Sequence, residues 1–150
     1  MKNGTKHIGT TSFEMQKEGT PAARAKTMET MHYQLQGMKA MLPHLKSESQ
    51  FYVQVLKAPI FDKNVPNTFE RIQGYLAQLT QWQEELNTLS HHIVVQEQEL
   101  GAVCPKADES LWTVRKREHL ALVRSYEILQ KKLNGLKSEL FQFIEGRLRV

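Results

Sequence analysis

From residue 28 to residue 56 the positions Met28, Met31, Leu35, Met38, Leu42, Leu45, Tyr52 and Leu56 fall on alternating steps of three and four, with Ser49 the one polar member of the series. Such steps keep side chains on one stripe of an α-helix, because a turn takes 3.6 residues. A second series, Phe69, Ile72, Leu76, Leu79, Leu86, Ile93 and Leu100, is broken by Gln83, Ser90 and Glu97, so its polar members recur every seven residues. Trp82, Leu89 and Val103 border that stripe and widen it enough to meet more than one neighbouring helix. The third series is Trp112, Leu122, Tyr126, Leu129, Leu133, Leu136, Leu140 and Phe143, flanked by Leu111, Val114, Val123 and Ile144. Three long amphipathic helices are predicted.

The breaks between these series set the expected boundaries. Residues 1–21 mix Gly, Thr, Ser, Lys and Glu without a period and end on Pro21, which reads as a disordered leader. The first helix is expected over residues 22–57, kinked or split at Pro43, where the ring removes a backbone donor and crowds the preceding turn. Pro59 and Pro66 mark residues 58–66 as an extended linker. Asn67 with Glu70 three residues on has the form of a capping box, and Asp108 or Ser110 is placed to cap the last helix. Gly135 lies inside that helix and weakens it without ending its stripe. Residues 68–103 and 111–147 would each make a rod of roughly 55 Å. Equal rods joined by a short turn imply antiparallel neighbours, so the fold expected is all-α: a long antiparallel coiled-coil helical hairpin over residues 67–148 with an additional N-terminal helix. Stripes this wide leave apolar surface that either the first helix or another chain must cover.

Charge sharpens the hairpin. The formal net charge is +4, yet residues 67–103 carry one base against five acids and residues 108–150 nine bases against six acids. Two adjacent helices of opposite sign are suited to each other, so much of the basic charge is answered internally. Arg115-Lys116-Arg117 is the densest basic run and is read as a solvated helix face, since no aromatics interleave with it for stacking on bases. The longest aliphatic run, Ile93-Val94-Val95, is far short of the roughly 20 residues a membrane span needs. No apolar stretch follows the basic N-terminus as a signal peptide requires, and the lone Cys104 has no intrachain disulfide partner.

Candidate chemistry is sparse. The histidines are His7, His32, His44, His91, His92 and His119, and no two are three or four residues apart as helical metal ligands must be. Cys104 has no nearby partner to activate it, and no phosphate loop, nucleophile elbow or zinc-type spacing is present. No catalytic residue, metal, cofactor or small-molecule substrate is expected.

The segment Pro59-Ile60-Phe61 through Val65-Pro66-Asn67-Thr68-Phe69-Glu70-Arg71-Ile72, followed by Leu76-Ala77-Gln78-Leu79-Thr80-Gln81-Trp82-Gln83-Glu84-Glu85-Leu86, resembles the coiled-coil region of the smallest FG nucleoporin of the trimeric central-channel complex. The resemblance spans about residues 59–147 and includes a second long helix from Asp108 to Phe143. It implies a structural subunit of the nuclear pore, in the nucleus, whose partners are other coiled-coil proteins including central-channel nucleoporins. The chain departs from that family in having no Phe-Gly dipeptide, so the implied role is scaffolding and not the binding of transport receptors. The residues expected to face partner helices are Ile72, Leu76, Leu79, Leu86, Ile93, Leu129, Leu133, Leu136, Leu140 and Phe143. Two alternatives stand beside this reading: a spectrin-like three-helix spacer or cytoskeletal adaptor in the cytoplasm, and a basic nucleic-acid-binding helical protein acting through Arg115, Lys116 and Arg117.

Overall fold

A computed structural model describes residues 19–103 and 108–149. Most of the leader expected over residues 1–21, together with Cys104 and Pro105, lies outside the described residues. Three helices account for nearly all the rest: α1, Pro21–Lys57; α2, Thr68–Ala102; and α3, Glu109–Glu145.

The helix ends follow local chemistry, with corrections at Pro21, at Asn67 and at Asp108, which precedes α3 but whose side chain makes no cap hydrogen bond. Thr20 is extended and its Oγ1 accepts the Ala23 amide at 3.2 Å, while Pro21 sits at the first helical turn, where a missing N–H is no loss. Pro21 therefore opens α1 instead of closing the stretch before it. Asn67 does not form the expected capping box. Its backbone is left-handed (φ 62°) and its side chain caps nothing, because a capping side chain reaches the first-turn amides only from an extended backbone. Asn tolerates that conformation better than most residues. The α2 start is held instead by the Asn67 carbonyl, which accepts the Arg71 amide at 3.1 Å, and by Thr68 Oγ1, which donates to the Val65 carbonyl at 2.9 Å.

α1 runs through Pro43 without being split. Pro43 is exposed, and Met38, Leu42, Leu45 and Ser49 are buried on either side of it. Packing of that buried face holds the turn together despite the lost hydrogen bond.

The three helices form an all-α bundle. Partner residues give the directions: Ser49 meets Gln83 and Gln36 meets Glu97, so α1 and α2 are antiparallel. Trp82 meets Leu129 and Gln96 meets Arg115, so α2 and α3 are antiparallel as well. α1 and α3 are then parallel and touch along a thinner contact than the other two pairs. The core is one cluster drawn from all three stripes, with Leu35, Leu79, Ile93, Leu100, Leu133 and Leu140 its most completely buried large side chains. Each such leucine stabilises the fold by about 1.5–3 kcal/mol through removal of apolar surface from water.

At the end where α3 finishes, the linker and the tail pair briefly. Asp62 donates its amide to the Arg147 carbonyl at 2.8 Å and Arg149 donates to Ile60 at 2.7 Å, an isolated antiparallel bridge centred on Phe61 and Leu148.

Candidate functional site

The residues expected to face partner helices are, in this chain, largely occupied by its own packing. Leu79, Leu86, Ile93, Leu129, Leu133, Leu136, Leu140 and Phe143 are buried in the bundle core, and Ile72 and Leu76 are half-buried against it. α1 supplies much of their cover through Leu35, Leu42, Leu45, Tyr52 and Leu56.

Two of the polar breaks in the α2 stripe, Gln83 and Glu97, meet α1. Ser49 is fully buried; its hydroxyl donates to the Lys46 carbonyl at 2.8 Å and accepts from Gln83 Nε2 at 3.0 Å. Two heptads further along α2, the Glu97 carboxylate accepts from Lys39 Nζ at 3.1 Å and Gln36 Nε2 at 3.0 Å. Those bonds, Lys39 first, hold the Glu97 carboxyl below the usual carboxylate range. An apolar seam slides freely by a heptad, whereas these pairs are satisfied in one register only.

A second polar group lies where α3 begins. Buried Gln96 donates from Nε2 to the Arg115 carbonyl at 3.2 Å. Arg115 reaches Glu99 and Glu118, each at 2.8 Å, so the first member of the basic run is spent on ion pairs while Arg117 remains exposed. His119 is buried with Nε2 2.6 Å from Gln34 Oε1 and with Nδ1 lacking a partner; burial pushes its pKa below the ordinary imidazole value. Periodicity alone missed His119 and Gln96, because each is a polar residue in an apolar stripe and neither is flagged by a motif. Lys132 to Glu85 at 3.1 Å and Arg115 to Glu99 join the basic α3 to the acidic α2.

On the side away from α1, a groove runs between α2 and α3. Its walls extend over residues 78–99 of α2 and 118–139 of α3. The widest part, about 520 Å³, is floored by Leu89 and Leu129, rimmed by Ile128 and His92, and flanked by Glu84 and Glu85. Of the adjacent pair His91 and His92, only His92 faces this groove, and their ring centroids are 6.2 Å apart. Among the described residues no three His, Cys, Asp or Glu side chains are grouped to hold a metal ion, and no helix is long and apolar enough to cross a membrane.

At the opposite end from His119, Phe143 is stacked by cations and rings together. Arg147 lies 4.6 Å and Arg71 5.1 Å from its centroid, with Tyr75 at 5.2 Å and Phe61 at 5.8 Å. This cluster ties the linker to the end of α3. Comparison with family models, curated proteins and solved structures finds no match.

Proposed function

We propose that the chain is a non-enzymatic structural subunit that assembles with partner helices, similar to a scaffold component of the nuclear pore's central channel. The groove between α2 and α3 carries this reading. Its walls are each about 30 Å long, enough for a partner helix of several turns, and its floor is apolar except for Gln96, with charge only at the rims. A helix laid there with an apolar stripe would extend the bundle from three helices to four by the same side-chain packing that joins α2 to α3. In finer terms, α2 and α3 act as an antiparallel coiled-coil hairpin, α1 backs it, and the partners are other coiled-coil chains, central-channel nucleoporins among them, in the nucleus.

The test is Ile128→Glu, which places a carboxylate on the exposed groove rim and leaves the core untouched. Co-purification with central-channel coiled-coil chains should fall at least tenfold while the circular dichroism spectrum stays unchanged. Equal recovery of wild type and variant, or no recovery of wild type, defeats the proposal.

A second reading is favoured by one observation: α1 folds back on the α2–α3 pair and completes a core without any other chain. A spectrin-like spacer or cytoskeletal adaptor is built that way. Failure of the wild type to recover any coiled-coil partner, with a stable folded chain, selects it.

A further inference from the structure

The basic residues in the first half of α3 are not all used alike. Arg115 is held by Glu99 and Glu118, whereas Lys116, Arg117 and, two turns beyond, Arg124 make no ion pair among the described residues. Between Glu109 and Glu127 the only carboxylate on α3 is Glu118, which Arg115 already reaches at 2.8 Å. About 27 Å of helix therefore presents cations that no acid of its own answers.

Aliphatic side chains are exposed on the same surface. Val114 is 41% and Leu120 59% exposed. At 3.6 residues per turn they stand about 60° to either side of Arg117, and Arg124 follows on the next two turns of the same line. Aliphatic and cationic side chains thus alternate along the outer face. Where α3 meets the start of α1, this face borders a cleft of about 400 Å³ lined by Arg24, Trp112, Lys116, Arg117 and Leu120, with Glu109 its one acid. Arg24 is buried there, its guanidinium 5.7 Å from the Trp112 ring centroid.

This pattern argues against two kinds of partner and fits a third. A seam with a partner helix keeps its apolar positions continuous and its charges at the flanks, where they stay hydrated. Here Arg117 and Arg124 occupy the middle of the line, where a packed helix would strip them of water. A nucleic acid would answer the cations but has no use for Val114 and Leu120, and Trp112, the aromatic residue of the cleft, is buried and offers no face for stacking on bases. The surface of a bilayer meets both needs at once. Anionic headgroups answer the cations, the aliphatic side chains enter the acyl boundary, and the long Arg and Lys stems let the charges stay at headgroup level. We infer that the outer face of α3 around Arg117 is a docking surface for an anionic phospholipid bilayer, on which the bundle lies without crossing it. None of Val114, Arg117, Leu120 and Arg124 lines the α2–α3 groove, so the inference stands or falls apart from the function proposed above.

Co-sedimentation of the full chain with vesicles in about 0.1 M salt tests it. The chain should pellet with phosphatidylcholine vesicles that contain about 30% phosphatidylserine and stay in solution with phosphatidylcholine alone. Arg117→Glu combined with Arg124→Glu should weaken binding at least tenfold, since each cation near such a surface contributes about fivefold. Leu120→Ser should weaken it about threefold or more, through the lost apolar burial. These positions are exposed, so the circular dichroism spectrum of each variant should match the wild type. Tryptophan emission of Leu120→Trp should shift to the blue with the anionic vesicles and not with the neutral ones. Absence of binding to anionic vesicles overturns the inference, as does equal binding to neutral ones or undiminished binding by the double variant. Full binding by Leu120→Ser, with no shift in the emission of Leu120→Trp, overturns it in favour of a purely electrostatic contact, and a DNA duplex should then bind the wild type and Leu120→Ser alike.

Discussion

His119 is held on α3 with Nε2 against the Gln34 Oε1 of α1 and Nδ1 buried without a partner, so protonating the ring would add at Nδ1 a donor that no acceptor meets. Its folded-state pKa is therefore depressed, and burial is the cause. Below the ordinary imidazole range the unfolded chain takes up a proton that the folded chain resists, so stability is fully present above that range and lost as pH falls through it. The stability of the wild type measured in urea should decline from pH 7 to pH 5, and His119→Gln, which keeps a polar group beside Gln34, should flatten that decline. Equal slopes in the two proteins would show that the ring is solvated. Glu97 also titrates down, but its loss begins near the carboxylate range and does not mimic the histidine. Ser49 and Gln83 were both visible in the sequence as interruptions of their stripes. Their meeting was not, because it depends on the register between two helices and heptads fix only the face. His119 was harder still: in a one-dimensional pattern, a buried histidine and one at the edge of a seam look alike.

At the scale of elements, the periodicity located the helices because three-and-four spacing survives whichever neighbour covers the stripe. Exceptions arose where a local rule competed with packing. Pro43 breaks an isolated helix, yet α1 continues past it because Leu42, Leu45 and Ser49 are anchored in the core on the adjoining turns. Asn67 has the composition of a capping residue but follows Pro66 into a turn that leaves it left-handed, and the dihedral overrides the side chain. Gly135 tests the balance between propensity and packing directly. It lies within α3, and an added Cβ would meet nothing within 4 Å. Gly135→Ala should therefore stabilise the chain by about 0.5–1 kcal/mol and raise the melting temperature by about 1–4 °C. A lower melting temperature would mean that the backbone there is not regular helix.

For the whole molecule, the sequence left open whether α1 or another chain covers the α2–α3 pair, since amphipathic stripes specify a face and not its neighbour. The bundle closes on itself, which couples the fate of each helix to the other two at residues such as Leu133. That side chain is 1% exposed, within a cluster to which all three helices contribute, so replacing it acts on the joint core and not on α3 alone. Loss of a buried leucine side chain costs about 2–5 kcal/mol, and a carboxylate in its place adds desolvation with no partner to offset it. That sum is comparable with the roughly 5–15 kcal/mol that holds an ordinary domain together. Leu133→Asp should therefore abolish helicity across α1, α2 and α3 in one step. Leu120→Asp, on the exposed side of the same helix, should leave the spectrum intact. Circular dichroism with urea titration decides the matter. If Leu133→Asp removes only the share of helicity belonging to one helix, the three do not fold as a unit, and the core shared among them is not what holds α1 in place.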